Sequence, residues 1–370
     1  MATTPLALPA PPATVLVISL RRLGDALITT PLIRSLKQAW PDAAIDALVL
    51  PSCVGVLAGN PDLRQVLTMP GRGQIGFALG LWRRYDLALA ATNSDRSHTF
   101  AVIAGRRRLG VGPKQPGWKR RLLDLSVTQS TARYHAVTQT LLLADRLGIA
   151  RAHDVVPPRP DAEGLAALDA ALGPGWAQRR YAVVHPEAMY RYKSWTADGW
   201  RTLIRWLAAQ GLDVVLSGGP AAAERAAVQA LADAAALPAG ALHVVAGKLP
   251  FAALTPLIEH AALYVGPDTS VTHLAAGTGR PTLALFGPSS PLTWGPWPQG
   301  WEGRDGSPWR LAAPLQRIGN VAILQGDRGR RIGCIPCLKE GCEQRLDSPS
   351  DCLDRLSAER VIAAAAQLLG

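Results

Sequence analysis

Short apolar runs alternate with helical patterns twice along this chain, and that alternation leaves little choice of fold. In the C-terminal half the runs fall at 181–185, 213–217, 243–246, 263–266 and 282–286, with helical spacing at 197–210, 221–235, 251–260 and 270–277 between them. An earlier series opens on Val15-Leu-Val-Ile-Ser-Leu20 and a helix at 25–40. It continues through strands at 45–50, 66–69, 86–91 and 109–111 to a helix at 134–147. Unbroken apolar runs mark strands buried on both faces, and parallel neighbours need the crossover that a helix supplies. At 370 residues the chain exceeds what one hydrophobic core ordinarily holds. The expectation is an α/β protein of two Rossmann-like domains facing across a cleft, at 1–160 and 175–350, joined through a Pro- and Gly-containing linker at 155–176. A helix at 357–369, within a terminal segment 351–370, is apolar on one face and is expected to cross back to the first domain. The stretch 299–346 shows no clear period. Pro31 falls inside the first helix, so that helix kinks or restarts there, with Thr30 as the cap.

No apolar run approaches the ~20 residues of a membrane helix. Residues 1–13 are rich in Pro and Ala without a basic start or a sustained apolar stretch, so they read as a loose leader, and the protein is expected to be cytoplasmic. The formal net charge is +11, which suits an anionic partner, although abundant Arg throughout the chain would give the same sum. Two basic clusters stand out, Arg106-Arg107-Arg108 and Lys119-Arg120-Arg121. No nucleic-acid module signature accompanies them, so no nucleic-acid partner is expected.

Ligands of open parallel sheets sit beyond the carboxyl ends of the strands, so loops there carry the candidate chemistry. Arg21-Arg22-Leu23-Gly24-Asp25 directly follows the first strand. Gly24 permits a tight turn, and Asp25 then either caps the helix or takes a proton from a hydroxyl at the cleft floor. In the second domain, Gly266-Pro-Asp268-Thr269-Ser270-Val-Thr-His273 joins a strand to a helix start, where backbone N–H groups and the helix dipole suit a pyrophosphate. Asp268 would repel a phosphate, so it is expected to orient the loop or meet a sugar hydroxyl. His273 either reaches a phosphate or packs. Lys193 and Arg191, in the loop that follows His185, could neutralise a leaving diphosphate or simply be solvated. Gly218-Gly219-Pro220, with Glu224 on the next helix, would admit a base or ribose; a Gly-Gly-Pro turn alone says little.

Taken together, Leu20 to Leu32, His185 to Trp195, Gly218-Gly219-Pro220, Gly266 to Ala276 and Phe286-Gly-Pro-Ser-Ser-Pro-Leu-Thr-Trp-Gly-Pro296 resemble the lipopolysaccharide heptosyltransferases, glycosyltransferase family 9. The resemblance runs from Val15 to Leu369 with the motifs in order. Thr29-Thr30-Pro31 and Pro116 to Arg121 look nearest to the heptosyltransferase III group. It implies an inverting GT-B enzyme that moves heptose from ADP-heptose to the phosphorylated inner core of lipopolysaccharide, without a cofactor for the chemistry. By that resemblance Asp25 is the base. Lys193, Gly218, Gly219, Glu224, Asp268, Thr269, Ser270 and His273 hold the donor, and Arg21, Arg22, Lys119, Arg120 and Arg121 meet the acceptor. Peripheral contact with the cytoplasmic face of the inner membrane follows, and gives the basic clusters a task. Where relatives often carry small hydroxyl residues after the His185 strand, this chain has Glu187, Ala188 and Met189, so phosphate contacts there fall to the backbone or Lys193. A protein-directed (autotransporter-type) heptosyltransferase and a non-catalytic nucleotide-sugar-binding protein are the alternatives.

Five cysteines remain. Cys53 reads as a small buried hydrophobe. Cys334-x2-Cys337-x4-Cys342-x9-Cys352 has spacing that suits a closed, structural zinc or iron site, with reduced, unliganded thiols or a labile disulfide as the competing reading.

Overall fold

The computed structural model describes residues 6, 8–112, 121–128, 130, 133–303, 306–327 and 334–370. Two compact units divide the chain, one of Met1–Pro158 with Glu302–Ser307, the other of Arg159–Trp301 with Pro308–Gly370.

The first unit grows from β1 (Thr14–Ser19), whose residues Val15 to Ile18 are shut away from solvent. It then runs through α1 (Leu23–Leu27), α2 (Thr30–Ala39), β2 (Ala44–Val49), β3 (Gln65–Thr68), α3 (Gln74–Gly80), β4 (Tyr85–Ala90), α4 (Asp95–Ala104), β5 (Gly105–Gly112), β6 (Leu125–Thr128) and α5 (Ala136–Leu147). Its strands pair in parallel in the order β3-β2-β1-β4-β5-β6. The chain leaves β1 toward one edge and returns to β4 on its other side, so the strand order reverses at β1. The central sheet is pinned by Asp46 on β2. This fully buried carboxylate accepts hydrogen bonds from Arg64 Nε (2.9 Å), Gln65 Nε2 (2.8 Å) and the Tyr85 hydroxyl (2.6 Å). Burial raises its pKa, but those donors outweigh burial and hold it below the usual carboxylate range.

The second unit contains α6 (Ala162–Leu172), β7 (Tyr181–Val184), α7 (Ala197–Ala209), β8 (Asp213–Leu216), α8 (Ala222–Ala235), β9 (Leu242–Val244), α9 (Leu254–Glu259), β10 (Leu263–Pro267), α10 (Ser270–Gly277), β11 (Thr282–Phe286), α11 (Pro291–Trp294), β12 (Leu315–Ile318), β13 (Val321–Gln325), α12 (Asp351–Asp354) and α13 (Ala358–Leu369). The order is β12-β13-β11-β10-β7-β8-β9, parallel except for β12, and it reverses between β7 and β10. Each unit is therefore a Rossmann-like sheet with its own switch point, the composition of a GT-B protein.

The helix after β1 restarts at Pro31, one of the two expected outcomes: α1 ends at Leu27 and α2 carries Pro31 in its first turn. Several other expectations need correction. Thr30 does not cap α2. The Thr30 hydroxyl donates to the Leu27 carbonyl at 2.7 Å, and Thr29 occupies the cap position without a side-chain cap bond. The linker contains α6, capped by the Asp161 side chain, which accepts from the Gly164 N–H. The stretch without period holds the β12–β13 hairpin, turned at Gly319, whose φ of 54° lies in the left-handed region that glycine tolerates. Finally, α13 does not cross back. Val361, Ala364, Ala365 and Leu368 are buried in the core of the second unit with Trp200 and Leu203 of α7.

Candidate active site

In the first unit the switch point is occupied by α1. Asp25 is half-buried in its first turn, and its Oδ2 accepts the Arg22 N–H at 3.2 Å. The carboxylate thus does cap the helix, one bond of the kind an N-terminal acid makes. That bond uses one of the roughly four acceptor positions a carboxylate offers. Arg21 and Arg22 are exposed beside it, and the Arg21 carbonyl takes the thiol of Cys53 at 3.4 Å. Cys53 is wholly buried, as expected of a small hydrophobe. Arg121 is exposed, whereas Lys119 and Arg120 lie outside the described residues. The other basic cluster is partly neutralised: Arg106 pairs with Asp86 and Arg108 with Asp124, each at 3.3 Å, and Arg107 is exposed.

In the second unit three adjacent strands, β10, β7 and β8, deliver their C-terminal loops side by side. The loop after β7 carries Lys193, whose ammonium meets Asp268 Oδ2 at 2.6 Å, in the loop after β10. Their side chains retain 20% and 7% of their exposure, so the pair is largely withdrawn from water. Burial raises the Asp268 pKa, yet the charge of Lys193 and hydrogen bonds from Lys193 and Ser289 bring it below the usual carboxylate value. Thr269 caps α10 by accepting from the Thr272 N–H, and Ser270 opens the helix. One turn in, His273 is buried and its Nδ1 finds no hydrogen-bond partner. Burial pushes its pKa down to about 4, so the ring is neutral at physiological pH. After β8, the Gly219 N–H donates to Glu224 Oε1 at 2.5 Å. A Cβ at Gly219 would stand 2.6 Å from Glu224 Oε2, so a larger residue would push aside the carboxylate that folds over the turn. At the start of the β7 loop, His185 Nδ1 lies 3.0 Å from the Ser217 hydroxyl.

The structure therefore brings Lys193, Asp268, Thr269, Ser270 and His273 into one cluster, with Gly218 and Gly219 in the loop after β8 and Glu224 on α8. Arg191 is not part of it, since it binds Asp354 at 2.8 Å and the Ser194 carbonyl. Ser289, from the loop after β11, was not singled out, although it lies within the Phe286 to Pro296 segment that carries part of the resemblance. Glu187 is half-buried, its pKa raised by burial and by Glu224 against the opposing charge of Arg191.

The four clustered cysteines do not form the expected metal shell. Among the described residues no group of three or more Cys, His, Asp or Glu is placed to hold an ion. All four thiols are free. Cys352 is buried against Gly287, while Cys342 is exposed and accepts the Asp351 N–H at 3.4 Å.

The model of "Glycosyltransferase family 9 (heptosyltransferase)" matches residues 78–302. Lipopolysaccharide heptosyltransferase 3 of Escherichia coli strain K12 is 29% identical over 292 residues, covering 75% of this chain and 83% of that protein. A family 9 glycosyltransferase structure from Veillonella parvula superposes with a TM-score of 0.75 at 19% identity, covering 96% of this chain and 97% of that one. The Escherichia coli structure described as ADP-heptose lps heptosyltransferase II gives 0.72 at 23% identity, covering 96% and 98%.

Proposed function

The chain belongs to glycosyltransferase family 9, and from that premise we propose that it is an inverting transferase moving heptose from ADP-heptose to the inner core of lipopolysaccharide, with Asp25 as its base. The donor is held by the second unit. Its diphosphate lies against the N–H groups that open α10, with Lys193 as the cation, and its adenosine lies over Gly218 and Gly219 near Glu224. The observation that carries this reading is the cluster at the β10–α10 turn. A buried ion pair, a Thr269-capped helix N-terminus and an unpartnered His273 nitrogen converge there. In the reaction the Asp25 carboxylate takes the proton of an acceptor hydroxyl. The oxygen attacks the anomeric carbon from the face opposite ADP, and the charge that builds on the departing phosphate is stabilised by Lys193 and the helix dipole. Every step uses groups of this chain and needs no metal. Arg21, Arg22 and Arg121 are the acceptor contacts of this reading, with Lys119 and Arg120, and the acceptor of the III group is its finer form. The acceptor is lipid-borne, so the enzyme works at the cytoplasmic face of the inner membrane.

Product analysis with ADP-heptose and defined truncated acceptors tests the proposal. Asp25→Asn should remove transfer while leaving ADP binding within about threefold, because the base contributes to the chemical step and not to donor affinity. Undiminished turnover in that variant would remove Asp25 from the mechanism, and transfer from another sugar nucleotide alone would overturn the donor. The four-thiol cluster stands outside this chemistry. Closure of the four thiols around zinc or iron is a separate proposal, supported by their spacing alone. One metal per chain in the purified protein would support it, and a metal-free, fully folded protein would refute it.

A further inference from the structure

Helix α3 has no buried residue, although four of its seven positions are large or small hydrophobes. Its inner side is accounted for: Phe77 and Ala78 pack against the first unit's core, and Phe77 meets Phe100 of α4 at a ring-centroid distance of 6.0 Å. Its outer side is not. Ile75 and Leu79, one helical turn apart, share a face of α3, Trp82 follows in the turn after it, and the three are 79%, 69% and 62% exposed. Burial of such side chains is favourable, so three neighbours left in water are a surface in want of a cover.

The surrounding charge identifies the cover. Residues 65–85 contain three arginines and no Asp or Glu. Arg72 stands before α3, and Arg83 and Arg84 follow Trp82, all three exposed. The Arg83 guanidinium lies 6.0 Å from the centroid of the Trp82 ring. The tip is held firmly, because the Arg83 N–H donates to the Ile103 carbonyl at 2.9 Å. The nearest acid in sequence, Asp86, faces the Ala13 and Thr14 N–H groups and Arg106. A self-contact about a two-fold axis would set these arginines against their own copies, which disfavours a second chain as the cover. A soluble sugar phosphate would satisfy the arginines and leave the apolar stripe wet. An anionic bilayer satisfies both: arginines at the headgroups, Trp82 at the interface, Ile75 and Leu79 below it.

We infer that α3 and the turn after it form the membrane-docking element of this enzyme, seated on an anionic lipid surface. This rests on the reading that the acceptor is lipid-borne, and it assigns that contact to a surface distinct from Arg106–Arg108. No helix among the described residues is long and apolar enough to cross a membrane, so docking here would be interfacial.

The test is flotation of the full chain with vesicles of phosphatidylcholine, with and without phosphatidylglycerol. The protein should bind the anionic vesicles and release them at high salt. Ile75→Ser/Leu79→Ser/Trp82→Ser should weaken binding about 30-fold or more, and Ile75→Ser alone by a few-fold, since each loses an inserted side chain. Arg72→Gln/Arg83→Gln/Arg84→Gln should weaken it by about 100-fold at low salt, at roughly 1 kcal/mol per charge. Failure of the unmodified chain to float, full binding by the serine variant, or binding equally strong without phosphatidylglycerol would each overturn the inference. So would a dimer in light scattering that the serine variant dissolves. Transfer to a delipidated, water-soluble acceptor should be unchanged in the serine variant. Absence of that transfer in the unmodified chain would instead count against the proposed reaction and leave the vesicle result standing.

Discussion

Replacing Lys193 by Met separates what that residue does for the fold from what it does for the donor. The substitution leaves Asp268 in place with 7% of its side-chain surface exposed, still bonded by Ser289 but without its ammonium partner at 2.6 Å. Breaking a buried pair from one side typically costs about 3–5 kcal/mol; the retained Ser289 bond places this case near 3. Asp268→Asn is gentler. Lys193 keeps 20% of its surface and can turn to water, so about 1 kcal/mol is expected. The double variant has neither buried charge nor missing partner, and should be about 2 kcal/mol more stable than the sum of the two losses predicts. Urea unfolding followed by tryptophan fluorescence measures this part. ADP affinity by titration calorimetry measures the other. Lys193→Met should weaken ADP about 10- to 100-fold, the range for losing a charge-assisted bond. Asp268→Asn should leave it within about threefold, and the double variant should recover stability without recovering affinity. If the double variant binds ADP as the unmodified chain does, Lys193 acts only to neutralise Asp268, and its place in the donor site is wrong.

Two further outcomes follow from groups already described. Asp46→Asn would present an amide where three donors now converge, and should destabilise the chain by about 3 kcal/mol in urea while leaving the ADP affinity of the folded protein unchanged; an unaltered midpoint would show that Asp46 is not the pin of its sheet. Burial holds both His185 and His273 down to about 4, against 6.5 when unfolded, so as pH falls below 6.5 the unfolded chain gains protons that the fold refuses. Stability should therefore drop between pH 6.5 and 4, by on the order of 4 kcal/mol for the pair between pH 8 and 5. The depressed carboxylates Asp46 and Asp268 act in the opposite sense of charge, their contribution being complete above their unfolded pKa and lost only at lower pH, so a stability curve flat from pH 7 to 5 would refute the histidine assignment.

How much of this was legible in the sequence depended on whether a residue's neighbours in space were also its neighbours in the chain. The strands at Val15 and Tyr181 show because parallel strands covered on both faces leave unbroken apolar runs. The positions of Asp25 and of the Thr269-Ser270 helix start show because a strand, a turn and a helix follow one another directly. The β12–β13 hairpin stayed hidden because β13 offers only four apolar residues and β12 is largely exposed, too little signal for a strand. The helix α4 was missed because it buries Ser97 and His98 alongside Phe100, which blurs its apolar stripe. Least visible was the Lys193–Asp268 pair: 75 residues separate its members, and only the sheet order places β7 beside β10. The cysteine spacing promised a ligand shell, but spacing says nothing of where packing sends each thiol.

The interruption between α1 and α2 has a consequence for how such a chain can diverge. Thr30, Leu32, Ile33, Ser35 and Leu36 of α2 are locked into the core and tolerate little change. α1, by contrast, has only Ala26 and Leu27 buried and presents Arg21, Arg22 and Asp25 on a turn of its own. Because the axis breaks at Ile28–Thr29, the residues proposed to meet the acceptor can be exchanged without disturbing the foundation behind them. Specificity and robustness are thus heritable as separate traits, divided by a single proline-started turn.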